Sequence, residues 1–311
     1  MLNSNEKIAV QAKGLVKRFG DFTAVNGIDF EVKRGEIFGF LGPNGSGKTT
    51  TIRMMLGLLA PTEGEVEVLG IPVAKQPGKI RPYIGYMSQR FSLYNDLTVM
   101  QNLRFYGKVY GLRSTQLKER IHSAIAMAGL EGHEHSRTRD LAGGWRQRLA
   151  LGAAILHRPK IVFLDEPTAG VDPLSRRAFW DLLYNLVSEG ITIFVTTHYM
   201  DEAEHCHSLA FIQRGELIAY GSPEQIKSEM MKGQVLEIDS SDAAATVMAL
   251  RQADLPVEDV ALYGSLVHVT AGDIEGLRDQ IEEHLNQAGV EVENMEVIQP
   301  SLEDVFIASM R

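Results

Sequence analysis

The stretch Gly42-Pro-Asn-Gly-Ser-Gly-Lys-Thr-Thr50 decides the fold of this 311-residue chain. It follows the apolar run Ile37–Leu41 and precedes a second apolar segment, Ile52–Leu56. A strand, a glycine-rich turn and a helix in this order match the phosphate-binding pattern G-x-x-x-x-G-K-[ST]. Glycines let such a turn approach a polyphosphate closely, and the start of the helix offers backbone N–H donors. The sequence therefore predicts a nucleotide-binding α/β core.

Each residue of this loop is expected to contact ATP, and two have further assignments. Lys48 is expected to reach the β- and γ-phosphates, and the Thr49 hydroxyl is expected to ligate Mg²⁺. The predicted phosphate-binding residues are Gly42, Pro43, Asn44, Gly45, Ser46, Gly47, Lys48, Thr49 and Thr50.

Two acidic residues end another apolar run of strand length. Asp165 and Glu166 follow Ile161–Leu164. In a parallel sheet, ligands bind outside the carboxyl ends of the strands. We therefore expect Asp165 to hold Mg²⁺, and Glu166 to orient the attacking water or to accept its proton.

Three further residues have two interpretations each on spacing alone. His198 ends the buried strand Ile191–Thr197, so it contacts the γ-phosphate or is only a polar strand end. Gln89, after the strand Ile84–Met87, orients water or metal or is an ordinary loop residue. Phe19 stacks on adenine or belongs to the core.

A second glycine pair lies in Leu141-Ala-Gly-Gly-Trp-Arg-Gln-Arg148, before a helix predicted over Arg146–Leu156. It offers a further set of backbone donors for phosphate. One nucleotide does not need two such turns in one chain, which suggests that this turn serves a second copy of the protein.

Bulk composition indicates an ordinary globular protein, with 44% hydrophobic and 23% charged residues. No apolar run approaches the roughly 18 residues of a membrane span, and the first residues do not resemble a signal peptide. A single cysteine, Cys206, excludes an intrachain disulfide. These features predict a cytoplasmic location.

The pattern restarts after Pro223 and becomes acidic. Residues 221–311 hold 5 Lys and Arg against 18 Asp and Glu, a net charge of −13. The whole chain has a net charge of −9, so residues 1–220 have a net charge of +4. This charge argues against a nucleic-acid partner. Six segments predict the ferredoxin-like order βαββαβ. They are Val235–Ile238, Ala243–Gln252, Val257–Tyr263, Leu266–Thr270, Ile274–Ala288 and Val290–Ile298.

The predicted architecture thus has two domains, an ATPase domain over 1–223 and an acidic α+β domain over 224–311. Within the first, a strand at Ile8–Ala12, a turn at Lys17–Asp21 and a strand at Ile28–Val32 predict an antiparallel layer beside the α/β core. Helical spacing over about 90–155 predicts a helical subdomain. Ser301 and Asp304 predict the cap of a short terminal helix.

The ordered motifs resemble the nucleotide-binding subunit of an ATP-binding cassette (ABC) transporter over residues 7–225. They are Gly42–Thr50, Gln89, Leu141–Trp145, Leu164–Thr168, Gly170–Asp172 and His198. The stretches Phe91–Thr98, His198–Ala203 and Pro300–Phe306 are similar to the type-2 exporter branch, which handles drugs, polysaccharides or ions.

The resemblance implies a role for each motif residue. Gly42–Thr50, with Lys48, would be the Walker A loop, Asp165 the Walker B carboxylate and Glu166 the catalytic glutamate. Gln89 would be the Q-loop residue, Asp172 the D-loop residue, His198 the switch histidine and Phe19 the adenine-stacking aromatic. It also implies a head-to-tail homodimer, in which the turn of Ala142, Gly143 and Gly144 contacts the ATP of the other copy. A separate integral-membrane permease would place the chain at the cytoplasmic side of the cell membrane.

One departure from the family concerns its Leu-Ser-Gly-Gly-Gln signature, where this chain has Ala142 and Trp145 instead of serine and glutamine. The serine hydroxyl would donate to the γ-phosphate, and Ala142 has no donor there. We expect ATP still to close the dimer, but more weakly or with slower turnover. Two other functions stay open at this point: a cassette ATPase without a transport function, and a weakly hydrolysing regulatory module.

Overall fold

The computed structural model describes residues 7–89, 93–230 and 233–309. The chain forms two compact units, Met1–Ser222 and Pro223–Arg311, each with a hydrophobic core of its own. Within the described residues, no helix combines the length and the apolar character that crossing a membrane requires.

The first unit alternates strands and helices. Its described strands are β1 (Ile8–Phe19), β2 (Phe22–Lys33), β3 (Ile37–Leu41), β4 (Glu63–Val68), β5 (Ile71–Pro72), β6 (Ile84–Met87), β7 (Ile161–Asp165), β8 (Thr192–Thr197), β9 (Ser208–Gln213) and β10 (Glu216–Gly221). Its described helices are α1 (Lys48–Met55), α2 (Pro77–Ile80), α3 (Val99–Val109), α4 (Ser114–Ala128), α5 (Gly143–Ile155), α6 (Pro173–Ser188) and α7 (Met200–Ala203).

A six-stranded sheet carries the predicted motifs in the order β10-β9-β3-β8-β7-β6. All neighbouring pairs are parallel except β9 and β10. Strands β3, β7 and β8 are buried along their whole length, which explains their continuous apolar sequences. The register brings the carboxyl ends of four strands to one edge, pairing Leu41 with Thr197, Asp165 with Thr196 and Met87 with Leu164.

A smaller antiparallel sheet has the order β2-β1-β4-β5. The turn predicted over Lys17–Asp21 was too long. Arg18 pairs with Thr23 and Phe19 with Phe22, so the ladder continues almost to the end of the hairpin. Only Gly20 and Asp21 remain between the two strands.

Helices α3, α4 and α5 pack around a hydrophobic cluster of their own, within the stretch predicted to be helical. The sequence placed the start of the last helix at Arg146, but α5 begins at Gly143. The reason is that the Ala142 carbonyl accepts a hydrogen bond of 3.0 Å from the Arg146 amide, which closes a first turn containing both glycines.

The second unit has the predicted βαββαβ order between two further helices. Its described elements are α8 (Pro223–Met230), β11 (Gln234–Ser240), α9 (Ala243–Gln252), β12 (Asp259–Tyr263), β13 (Leu266–Ala271), α10 (Ile274–Gln287), β14 (Val292–Ile298) and α11 (Leu302–Ser309). The antiparallel sheet order is β12-β13-β11-β14. The predicted cap is present, since Ser301 Oγ accepts from the Asp304 amide at 3.2 Å and Asp304 Oδ2 accepts from the Ser301 amide at 2.8 Å.

Candidate active site

The loop between β3 and α1 is packed so closely that two of its glycines cannot carry a side chain. A Cβ on Gly42 would lie 2.1 Å from the Ile212 carbonyl oxygen. A Cβ on Gly47 would lie 2.6 Å from the Ala24 carbonyl oxygen, and Gly47 has a φ of 113°. The loop therefore packs against neighbouring backbone at two positions that only glycine can occupy.

Lys48 occupies the first position of α1, and its side chain is only 4% exposed. Its ammonium donates to the carbonyl oxygens of Gly42 at 2.7 Å and Pro43 at 3.1 Å. The same nitrogen lies 3.1 Å from Glu166 Oε1. The positive charge is thus held under the loop, and its ionic partner is a carboxylate.

Asp165 joins the loop to the end of β7. Its Oδ1 accepts hydrogen bonds from Thr49 Oγ1 at 3.1 Å and from Thr196 Oγ1 at 2.9 Å. Burial raises the pKa of Asp165 above its ordinary value, although the hydrogen bonds from Thr196 and Thr49 act in the opposite direction. A nearby cation would therefore stabilise the carboxylate form of this residue.

Glu166 has a left-handed backbone, with a φ of 47° that non-glycine residues seldom adopt. Its amide donates to Thr196 Oγ1 at 3.0 Å and to the Thr196 carbonyl at 3.1 Å, which fixes this conformation. Side-chain Oε2 accepts from Gln89 Nε2 at 3.0 Å and lies 3.4 Å from His198 Nδ1. With Lys48 on the other oxygen, three polar residues from three separate parts of the chain surround one buried carboxylate.

A cavity of about 470 Å³ opens beside this cluster. Phe19 and Phe22 flank it at the β1–β2 hairpin, where both rings are exposed, and the Lys17 ammonium lies 5.1 Å from the Phe19 ring centre. The lining residues are Phe19, Phe22, Ala24, Asn44, Gly45, Gly47, Lys48, Thr49, Thr50, Gln89 and Glu166. The cavity size and the mixture of aromatic, backbone and charged groups are typical of small-molecule sites.

Three family models match the chain. One described as ABC transporter covers residues 25–169, and one described as ATP-binding protein DrrA1-3-like, C-terminal domain covers residues 221–310. A third, described as AAA domain, putative AbiEii toxin, Type IV TA system, covers only residues 146–200.

Two curated relatives are similar to the chain over different lengths. The Nod factor export ATP-binding protein I of Rhizobium sp. (strain N33) is 37% identical over 302 residues, which is 97% of this chain and 96% of that protein. The probable multidrug ABC transporter ATP-binding protein YbhF of Escherichia coli (strain K12) is 51% identical over 220 residues, or 71% of this chain. The match spans 38% of the length of YbhF.

Solved structures of ABC cassettes resemble the fold. CbiO1 from Clostridium perfringens, part of the ABC transporter complex cbiONQ, has a TM-score of 0.67 and 30% identity, covering 72% of this chain and 92% of that one. The ATP-binding cassette MJ0796, in a dimeric post-hydrolysis state bound to ADP and Pi, has a TM-score of 0.62 and 28% identity. That match covers 68% of this chain and 98% of MJ0796.

The chain belongs to the ABC transporter family.

This membership confirms the family resemblance that the ordered motifs indicated. It also confirms the predicted α/β cassette fold. Cassettes of this family bind ATP and are ATPases, which agrees with the predicted enzyme class. The DrrA-like second domain and the export proteins among the relatives agree with the type-2 exporter branch.

The altered signature of this ABC cassette lies at the start of α5. Ala142 is the N-cap residue of the helix and provides no side-chain hydrogen bond. The Trp145 ring packs on His133, with 4.3 Å between ring centres. Gly144 has no room for a side chain, because a Cβ there would lie 2.5 Å from Ser175 Oγ.

Asp172 is the N-cap of α6, where its Oδ1 accepts from the Ser175 amide at 2.9 Å. Backbone hydrogen bonding by Ser175 lowers the pKa of Asp172. Ser175 therefore joins the Asp172 turn to Gly144. These two motifs lie next to each other on the cassette.

The structure divides the predicted site residues into two groups. One group lines the cavity or contacts a side chain that does, and consists of Phe19, Asn44, Gly45, Gly47, Lys48, Thr49, Thr50, Gln89, Asp165, Glu166 and His198. Gly42, Pro43 and Ser46 form the remainder of the same loop. The second group, Ala142, Gly143, Gly144 and Asp172, does not line this cavity.

Two residues of the site escaped the sequence analysis. Thr196 fixes both Asp165 and Glu166, yet in an apolar strand it has the pattern of an ordinary β-branched core residue. Phe22 lines the cavity together with Phe19. Only two residues separate these aromatics, so predicting a two-residue hairpin turn would have paired them.

Proposed function

We propose that this chain is the ATP-hydrolysing subunit of an ABC exporter, acting as a homodimer beneath a separate membrane permease. The observation that carries the proposal is the buried Glu166 carboxylate, held by Lys48, Gln89 and His198 beside the phosphate loop. The names of the relatives, which refer to export of Nod factors and to multidrug transport, support export over a cassette function without transport.

The loop Gly42–Thr50 would hold the ATP phosphates with its backbone amides, and Phe19 would stack on the adenine ring. Thr49 and Asp165 have the oxygen donors that Mg²⁺ prefers, and their 3.1 Å contact brings two such donors together. The Gln89 amide oxygen would be a third ligand. Bound there, Mg²⁺ would neutralise charge on the phosphates during hydrolysis.

Glu166 would act as the general base. In the structure Lys48 is its ionic partner, and Lys48 is also the residue placed to pair with a γ-phosphate. When Lys48 exchanges the carboxylate for phosphate, Glu166 keeps its contacts to Gln89 and His198 and is free to accept a proton from water. His198 would donate a hydrogen bond to the γ-phosphate.

The homodimer follows from the second group of residues. Ala142, Gly143 and Gly144 start a 13-residue helix, so their end of α5 carries backbone donors and the positive end of the helix dipole. They would contact the ATP held by the other copy, and Asp172 would lie beside them. Ala142 removes the side-chain donor of this contact, whereas the glycine amides remain.

The permease would dock on the helical subdomain near Gln89. Among the residues described there, three large apolar side chains are exposed, Tyr94 by 49%, Phe105 by 39% and Val109 by 63%, and the Tyr94 and Phe105 rings pack edge to face. Phe91, the first residue of the exporter-like stretch Phe91–Thr98, lies outside the described residues. Such docking would hold the chain at the cytoplasmic face of the cell membrane.

Phosphate release by the purified chain tests the hydrolytic part of this proposal. Replacing the base in Glu166→Gln is expected to lower kcat by about a hundredfold or more, while binding of a fluorescent ATP analogue is retained. Hydrolysis at the wild-type rate would overturn the assignment. Co-purification with a membrane protein after mild detergent extraction tests the transport part, and its absence would favour a cassette function without transport.

A further inference from the structure

No hydrogen bond within the described residues fixes the buried Nδ1 of His198. This nitrogen lies 3.4 Å from Glu166 Oε2. The imidazole packs instead on the ring of the next residue, Tyr199, with 4.2 Å between ring centres. Whatever fixes Tyr199 therefore also fixes the imidazole.

Arg176 is the residue that fixes Tyr199. Its guanidinium carbon lies 4.4 Å from the centre of the Tyr199 ring, a distance at which a planar cation stacks favourably on an aromatic face. The Arg176 side chain is 20% exposed, so it is largely sheltered from water. A series of three flat groups thus runs from the first turn of α6 to the imidazole.

Two carboxylates from α7 hold the guanidinium in this place. Arg176 Nη1 donates to Asp201 Oδ2 at 3.1 Å, and Arg176 Nε lies 3.6 Å from Glu202 Oε1. Glu202 is only 1% exposed, and its Oε1 also accepts a hydrogen bond from Thr168 Oγ1. Its Oε2 is buried and has no hydrogen-bond partner among the described residues, and the nearby Arg176 guanidinium compensates this buried charge.

Both ends of this arrangement touch nucleotide-site motifs. The Arg176 amide donates to the Asp172 carbonyl at 2.9 Å, which places Arg176 directly after the D-loop turn. Thr168 follows Glu166 by two residues, and its carbonyl accepts from the Val171 amide at 3.2 Å. The D-loop, the segment after the catalytic glutamate and the His198 loop are therefore joined through one guanidinium and one buried carboxylate.

We propose that Arg176 is a positioning residue for ATP hydrolysis, which acts through Tyr199 to hold the His198 ring at Glu166 and couples that ring to the D-loop turn. The inference rests on the function proposed for His198 above. The contacts of Arg176 within the described part of the chain are with Tyr199, Asp201, Glu202 and the Asp172 carbonyl, none of which lines the cavity. Its loss is therefore expected to change turnover and to leave ATP binding intact.

Three substitutions in the 311-residue chain distinguish a positioning role of Arg176 and Tyr199 from a purely structural role. Arg176→Lys keeps the charge and loses the flat group, and Tyr199→Leu keeps bulk and loses the ring. Each is expected to lower kcat for ATP about tenfold or more with KM unchanged, since small misplacements of reacting groups have large effects. Tyr199→Phe keeps the ring and is expected to retain wild-type kcat. Arg177→Lys, one residue along α6, is the matched control.

A double-substitution cycle with His198→Ala decides the mechanism. If Arg176 acts through His198, adding Arg176→Lys to His198→Ala produces no further fall in kcat. Losses that multiply would overturn the inference, as would a wild-type kcat for both Arg176→Lys and Tyr199→Leu when His198→Ala alone is slow. A wild-type kcat for His198→Ala itself would overturn the function proposed for His198, and the inference with it.

Discussion

The hydroxyl of Thr196 sets the geometry of Glu166, the proposed general base. Thr196 accepts from the Glu166 amide and donates to Asp165, so it fixes a left-handed backbone and a buried carboxylate together. Left-handed φ values at non-glycine residues cost energy and persist only where the surroundings enforce them. The strained residue here is the one to which the proposed chemistry assigns the base.

Thr196→Val is expected to disturb both carboxylates while keeping the shape of the side chain. The loss of a buried donor and acceptor should lower the free energy of unfolding by about 1–3 kcal/mol and slow ATP hydrolysis. Both tryptophans, Trp145 and Trp180, lie in the first unit, so urea unfolding followed by tryptophan fluorescence reports that unit. Thr246→Val, which removes a fully buried hydroxyl from the second unit, should leave hydrolysis unchanged.

Ala142→Ser restores the donor that the family signature supplies. A hydrogen bond to a charged group contributes about 1.5–3 kcal/mol, so the substitution should increase ATP affinity or the hydrolysis rate about tenfold or more. Nucleotide titration and phosphate release measure both quantities. Ala126→Ser, at an exposed position of α4, is the control, and an Ala142→Ser chain that behaves like the wild type would contradict the account of the signature.

The sequence could predict the site residues that lie at fixed spacings within a known motif. The phosphate loop, Asp165 and Glu166 follow from a strand, a turn and residue types in fixed order. Thr196 could not be predicted in this way, because its importance depends on register between β7 and β8 and not on any local pattern. The ion pair of Lys48 with Glu166 also depends on a contact across the sheet edge.

At the scale of elements, sequence predicted the strands and helices better than their ends. The apolar runs of β3, β7 and β8 are buried as expected. The predicted ends were wrong where backbone hydrogen bonds extended an element beyond its patterned residues, as at Gly143 in α5 and Phe19 in β1. The residue types there did not predict the extension, because intrinsic propensity is weaker than the hydrogen bonds of a completed strand ladder or helical turn.

One helix of the second unit depends on a buried histidine. His268 of β13 is 3% exposed, with Nδ1 at 2.7 Å from Asp304 Oδ1 of α11 and Nε2 at 3.1 Å from Glu237 Oε2 of β11. Burial lowers the pKa of His268, but the hydrogen bonds and charges of Asp304 and Glu237 outweigh this effect and raise it above 6.5. Burial raises the pKa of Asp304, but the His268 and Ser301 hydrogen bonds outweigh it, and the pKa lies below 3.8.

The pair is therefore expected to stabilise α11 within a defined pH window. A raised histidine pKa contributes stability that is complete below 6.5, the unfolded value, and is lost as pH rises through the folded value. A lowered aspartate pKa contributes stability above 3.8 that is lost as pH falls through the folded value. NMR titration of the imidazole should show a pKa above 6.5 that falls in Asp304→Asn, and amide exchange in α11, corrected for intrinsic rates, should be slowest inside the window. An unshifted His268 titration would contradict the ion pair.

At the scale of the whole molecule, the cassette residues and the acidic domain lie in separate compact units. Every described residue that lines the nucleotide cavity belongs to the first unit. The composition change at Pro223 and the βαββαβ pattern could be read from the sequence, because each reflects local periodicity and charge. The function of the second unit could not be predicted in this way, since the sequence specifies its fold without specifying what it contacts.

A chain that ends at Ser222 should fold and bind ATP like the full chain, because the cavity and its supporting core are retained. We propose that the acidic domain serves dimer contact or regulation, and we therefore expect the shortened chain to change in its ATP-dependent dimerisation or its hydrolysis rate. Calorimetry, nucleotide titration and phosphate release measure these properties. Unchanged dimerisation, hydrolysis and transport would contradict that assignment.

In the proposed cycle, two copies of the chain close around ATP, and hydrolysis assisted by Glu166 then separates them. The most direct test is the mass of Glu166→Gln in solution, measured by light scattering with and without ATP and Mg²⁺, with Lys48→Ala as the control that should not respond. We predict the mass of one 34.4 kDa chain without nucleotide and of two chains with it. A variant that binds ATP and keeps the mass of a single chain would contradict ATP-dependent dimerisation.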